Sequence, residues 1–289
     1  MKIFKFLQLI RVHHWCKNLL ILLPAFFGGV LFDKSCLHQI LFGLSAFCLA
    51  ASTIYIVNDI RDVEKDRCHP KKCKRPIASG DVSIAQAWVL FAFMIAICVL
   101  CFYKVQNIKA LMVLLLYLAL NFAYSFKLKN IPLVDICILV SGFFLRVLYG
   151  SFLSDCRISN WLYLMIITVS FFMALGKRRG ELQNDANEKR SVLKFYTQGF
   201  LDKNMYMFLS MANVFYSLWA CDVHDIKTSN GRFVVFTVPL VILITMRYSF
   251  DVEGKSDGDP VDVLLHDKFL LSAVALYAAA MCFLFYTKI

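Results

Sequence analysis

Nine apolar runs, near 18–32, 39–57, 85–103, 109–126, 132–152, 159–176, 204–221, 232–247 and 269–287, recur along the chain and leave it few ways to fold. Each approaches the roughly 20 residues that a helix needs to cross a bilayer, and the shorter ones leave their ends and tilts open. With 60% hydrophobic residues, including 27 Phe, the chain lacks the polar surface that would cover a soluble core. Inside hydrocarbon, every backbone polar group must be paired within the segment, so runs of this length read as helices. The expected fold is all-α: a polytopic membrane protein of about nine transmembrane helices, forming a single transmembrane domain over 1–289.

Lys and Arg set the orientation. If the N-terminus is inside, 23 of the 31 basic residues fall on that side and seven on the other, which leaves Arg146, deep within the fifth run. The N-terminus and the two long polar loops, 58–84 and 177–203, are therefore expected at the cytoplasmic face, in a bacterial inner membrane. Residues 2–12 read as an interfacial amphipathic helix and not as a cleaved signal. The net charge of +11 suits anionic headgroups and phosphorylated substrates. It does not suit nucleic acid, because no extramembrane fold is large enough to display a basic groove. The 11 cysteines are scattered, mostly within the runs, and read as small packing residues. Oligomeric state is not legible.

The second run leads into Asn58-Asp59-Ile60-Arg61-Asp62-Val63-Glu64-Lys65-Asp66. Asn58, Asp62 and Asp66 are spaced i, i+4, i+8, and Asp59 precedes Asp62 by three, so all four share one helix face. Stacked carboxylates repel each other unless a cation lies between them, and hard oxygen donors of this kind suit Mg²⁺. Pro70 should end this helix. The turn that follows the acids is basic, and Arg67, Lys74 and Arg75 are candidates to pair with phosphate. A zinc site from Cys68, His69 and Cys73 matches no common ligand spacing.

Other candidates belong to the same membrane face. Lys17 and Asn18 enter the first run, after Trp15. Tyr124 and Lys129 lie between the fourth and fifth runs. Lys177 and Arg178 open the second long loop, where at least one of them is expected to turn inward and hold a phosphate. Glu181 and Asp185, again i, i+4, could form a second metal site. Arg146 costs at least ~2.5 kcal/mol to bury unpaired, so it should face the bundle and a carboxylate, a carbonyl or a lipid phosphate.

Together these pieces resemble the UbiA superfamily of intramembrane prenyltransferases, with an NDxxDxxxD motif after the second helix and a further polar motif after the sixth. The resemblance covers essentially the whole chain. It implies a helical bundle around a central cavity open to the cytoplasmic side, with Asn58, Asp62 and Asp66 binding Mg²⁺ and a diphosphate. The chain departs from the superfamily's second aspartate-rich motif, for it carries Lys177-Arg178-Arg179 with Glu181 and Asp185 behind. Trp15–Asn18, Tyr124–Lys129, Ser141–Arg146 and Gly176–Leu182 look like the decaprenyl-phosphate phosphoribosyltransferase branch. That branch moves 5-phosphoribose from phosphoribosyl diphosphate to a polyprenyl phosphate.

The exchange of acids for cations is chemically coherent. A phosphoribosyl donor and a lipid phosphate bring two phosphates more than a prenyl donor and an aromatic acceptor do. By resemblance, Asp62, Asp66 and Lys17 would be the catalytic residues. Substrate phosphates would fall to Lys17, Asn18, Arg67, Lys74, Arg75, Tyr124, Lys129, Arg146, Lys177 and Arg178. The alternatives are an aromatic, quinone-precursor prenyltransferase and, from another class, a lipid or solute transporter.

Overall fold

A computed structural model describes residues 2–70, 72–184, 191–223, 231–254, 263–264 and 266–287, and every regular element among them is helical. The elements are α1 (Lys2–Leu9), α2 (Leu23–Phe27), α3 (Lys34–Arg61), α4 (Val63–Cys68), α5 (Ile84–Val105), α6 (Ile108–Phe126), α7 (Val134–Ser154), α8 (Asn160–Asn184), α9 (Gln198–Asp222), α10 (Val238–Glu253) and α11 (Lys268–Tyr286). Short 3₁₀ segments join several of them.

Among the described residues, seven helices are both long and apolar enough to cross a membrane: α3, α5, α6, α7, α8, Gly231–Glu253 and α11. The expected count of nine is therefore not reached on those criteria. The seventh run lies in α9, which is 25 residues long but carries Gln198, Asp202, Lys203 and Asn204 in its first turns. The first run does not form one continuous helix. It divides into the 3₁₀ segment Val12–Leu22 and the five-residue α2, and the chain then turns at Gly29 with φ 69°.

Exposure explains why so apolar a chain is stable in lipid. Along α5, Val89, Phe93 and Leu100 are 58–71% exposed, and α6, α10 and α11 show the same bare faces. In water such surface would drive aggregation, whereas in hydrocarbon it meets its own kind. The N-terminal helix is amphipathic as expected, with Phe4 outward and Leu9 fully buried.

The chain divides into two compact units. The first comprises Met1–Ala25, Val30–Phe126 and Leu145–Cys156. In its core, α3 packs on α5 and α6, and Phe47 lies 4.5 Å from Tyr117 and 5.2 Å from Tyr149 between ring centres. Gly150 of α7 is needed there, because a Cβ would fall 2.0 Å from the Ile21 carbonyl oxygen. The second unit comprises Phe26–Gly29, Lys127–Phe144 and Arg157–Ile289. Here α8 runs along α9, with Phe171 stacked on Phe208 at 4.5 Å and Leu201 and Met205 buried.

Candidate active site

Two acids of the first unit, Asp59 and Asp66, meet on one side chain, Arg75, although the helix carrying them is interrupted. α3 ends at Arg61, and Asp62 adopts φ −91°, ψ 8° before α4 begins. The ladder still passes through, since Asp62 N–H donates to the Asn58 carbonyl at 2.9 Å and Asp66 N–H to the Asp62 carbonyl at 2.8 Å. α4 then stops at Cys68, because a residue before proline disfavours helix.

Asp59 and Asp66 are 3% and 4% exposed, and buried carboxylates need counter-charge. Arg75 supplies it to both. Its Nη1 lies 2.6 Å from Asp66 Oδ2 and 3.2 Å from Asp59 Oδ1. Arg11 Nη2 donates to the same Asp59 oxygen at 2.7 Å, and its guanidinium lies 4.7 Å from the centre of the Tyr55 ring. Arg11 adopts a left-handed backbone, φ 53° and ψ 52°, uncommon for a residue with a side chain. Sequence reading missed Arg11. The available signal was the buried acid itself, whose partner stands 48 residues upstream. Arg67 and Lys74, the other two phosphate candidates of this stretch, behave differently. Arg67 pairs with Glu64 at 2.9 Å on the surface, and Lys74 is exposed.

Among the described residues, no three His, Cys, Asp or Glu side chains are drawn together as a ready metal centre. The donor set nevertheless fits a hard divalent ion. It consists wholly of oxygen donors, the Asn58 amide oxygen and the carboxylates of Asp59, Asp62 and Asp66, and Asp66 already lies against a cationic nitrogen of Arg75. Asp59 Oδ1 is shared by Arg11 and Arg75.

A second cluster in this unit surrounds Arg146, which is 7% exposed. Arg146 Nε donates to Asn18 Oδ1 at 2.8 Å and Nη2 to the Tyr117 hydroxyl at 3.0 Å. Its guanidinium carbon lies 5.0 Å and 5.4 Å from the Tyr117 and Phe47 ring centres. Asn18 is 1% exposed, with its amide nitrogen on Cys48 Sγ at 3.1 Å, so both ends of this amide have partners within the first unit. Trp15 Nε1 donates to Ser52 Oγ at 3.1 Å, so it anchors the 3₁₀ segment to α3. Lys17 and Tyr124 are half-buried.

The second unit holds its candidates through a buried network. Arg178 Nε lies 2.7 Å from Asp135 Oδ2, with both side chains fully buried, and Nη1 lies 2.6 Å from Glu181 Oε2. The Tyr196 hydroxyl donates to Asp135 Oδ1 at 2.6 Å and accepts the Leu133 N–H at 2.7 Å. Burial, and then the Asp135 carboxylate, push the Tyr196 phenol well above its ordinary pKa. Arg178 and Glu181 are thus held to each other, and Arg178 also to Asp135, inside the second unit. Asp185 lies outside the described residues. Arg179 is likewise bound inward, to Asp202 at 2.6 Å and to the Val252 carbonyl at 3.2 Å. Of the three consecutive cations, Lys177 is the half-buried one. Lys129, also half-buried, lies on the 3₁₀ turn Leu128–Asn130.

Comparison with known proteins agrees with this fold. The model of the UbiA prenyltransferase family matches residues 21–179. A decaprenyl-phosphate phosphoribosyltransferase of Mycolicibacterium smegmatis is 35% identical over 91% of this chain and 87% of its own. One from Mycobacterium tuberculosis is 34% identical over 95% and 93%. Among solved structures, a UbiA homolog from Archaeoglobus fulgidus bound to DMAPP and Mg²⁺ superposes with a TM-score of 0.73 at 18% identity, covering 97% of this chain and 99% of that one.

Proposed function

The chain belongs to the UbiA prenyltransferase family, an integral membrane transferase, and from that premise we propose that it moves 5-phosphoribose from phosphoribosyl diphosphate to a polyprenyl phosphate, releasing pyrophosphate. The observation that carries this reading is identity of 33–35% with decaprenyl-phosphate phosphoribosyltransferases over nine-tenths or more of the chain. The 4-hydroxybenzoate octaprenyltransferase that also matches is 24% identical over 59% of the chain. The reaction belongs at the cytoplasmic face of a bacterial inner membrane, where the soluble donor is available and where the basic loops are expected.

The chemistry needs charge neutralised more than protons moved. The ribose C1–O bond to the diphosphate breaks, and a C1–O bond to the lipid phosphate forms. The acceptor oxygen is already anionic, so no general base is required. Asn58, Asp62 and Asp66 would hold Mg²⁺, which when bound supplies positive charge against the leaving diphosphate. Arg75, whose guanidinium already lies against Asp59 and Asp66, is suited to pair with the same phosphates. Asp59 keeps Arg11 and Arg75 in place. Lys17 is assigned the acceptor phosphate. Arg146 and Tyr117 brace the 3₁₀ segment through Asn18, and thereby Lys17 beside it.

The test is incubation of membranes containing the protein with Mg²⁺, labelled phosphoribosyl diphosphate and polyprenyl phosphate. A labelled lipid that vanishes on chelation is expected. Absence of that lipid, with prenylation of an aromatic acid from a polyprenyl diphosphate in parallel, would assign the chain to the aromatic prenyltransferases instead.

A further inference from the structure

Arg61 closes α3 between Asp59 and Asp62, and its side chain reaches the end of α6. Its Nη1 donates to the Ser125 carbonyl and its Nη2 to the Phe126 carbonyl at 3.2 Å. The guanidinium carbon lies 4.8 Å from the centre of the Phe126 ring. α6 ends at Phe126, so these are among the carbonyls a helix leaves without an internal partner. They are also where its dipole gathers about half a negative charge. Water could satisfy exposed carbonyls, yet here an arginine from within the acidic motif takes them with both arms of its fork.

The consequence concerns the neighbours. Arg61 adjoins Asp62 along the chain, Ser125 adjoins Tyr124, and consecutive Cα atoms are about 3.8 Å apart. The fork thus ties the backbone beside Asp62, a candidate metal-binding acid, to the backbone beside Tyr124, a candidate phosphate-binding residue. It also covers a negative helix end beside residues assigned to an anionic substrate. We infer that Arg61 is a positioning residue for the diphosphate: it holds Tyr124 in register with Asp62 and masks the carbonyl end of α6. This deepens the proposed function, and it relies on that reading only in taking the ligand to be a diphosphate. A lysine would keep the charge and lose the fork.

The experiment titrates inorganic pyrophosphate with Mg²⁺ into the purified full-length protein in detergent, because pyrophosphate leaves from either a phosphoribosyl or a prenyl donor. R61M is expected to weaken binding about tenfold, the scale of a helix-end charge together with a small misplacement. R61K is expected to bind roughly threefold more weakly than wild type. Because Arg61 acts through Tyr124, R61M/Y124F should bind about as weakly as the weaker single variant. Pyrophosphate binding by R61K at wild-type strength would overturn the inference, as would single losses that multiply in the double variant. If no labelled phosphoribosyl lipid forms in the membrane assay, the donor assignment falls, while this titration still reads Arg61.

Discussion

Replacing Arg178 with methionine removes the cation that Asp135 and Glu181 share. Arg178 and Asp135 have fully buried side chains with 2.7 Å between Nε and Oδ2, and Glu181 is 16% exposed at 2.6 Å from Nη1. Two acids on one base make the network asymmetric. Loss of Arg178 takes the counter-charge from two carboxylates, that of Asp135 fully buried, a change that costs about 3–5 kcal/mol. D135N removes one acid and leaves the Arg178–Glu181 pair, so it should cost less, about 1.5–3 kcal/mol, the worth of a hydrogen bond to a charged group. R178M/D135L removes the buried pair together and should recover much of the R178M loss. Unfolding of the purified protein in detergent, followed by heat or denaturant, would rank the four proteins. The expected order of stability is wild type, D135N, R178M/D135L, R178M. An R178M variant within about 1 kcal/mol of wild type would refute the reasoning.

Two further outcomes follow from particular contacts. G150A places a methyl group 2.0 Å from a backbone oxygen that cannot rotate away, so its folded yield in membranes should fall sharply, by overpacking of ~1–3 kcal/mol or more. Asp267 caps α11 by accepting the Phe269 N–H at 2.8 Å, and the Arg247 guanidinium holds its carboxyl down to about 2. A depressed acid stabilises above its unfolded pKa of roughly 4 and loses that contribution as pH falls through the folded value. In a pH series of thermal unfolding, D267N should therefore trail wild type near neutrality and converge on it as the pH approaches 2.

Local signals were legible in the sequence, and long-range ones were not. The apolar runs show through because lipid imposes length and composition on each segment separately. The acidic face after α3 follows from spacing alone, and Pro70 marks the end of α4 in the same way. The break at Asp62 carries no such mark, because Asp62 lies within an unbroken helical spacing. Which cation of Lys177-Arg178-Arg179 turns inward depends on Asp135, 43 residues earlier, and on Asp202, 23 residues later. Tyr196 meets Asp135 across 61 residues, and Arg146 meets Asn18 across 128. No window of sequence contains both members of such pairs. The first run misled for a related reason: its apolarity satisfies lipid, but the close approach of Ile21 to Gly150 goes with a 3₁₀ path and not a continuous α-helix.

In the proposed reaction the acidic residues of α3 and α4 drive transfer of a phosphoribosyl group onto lipid. Purified wild type, D62N and D66N, reconstituted in vesicles with polyprenyl phosphate and given phosphoribosyl diphosphate and Mg²⁺, would test it through product lipid quantified by mass. Wild type should yield a phosphoribosylated lipid, and each variant should lose about 100-fold or more at unchanged thermal stability. Full turnover by folded D62N and D66N would contradict this role.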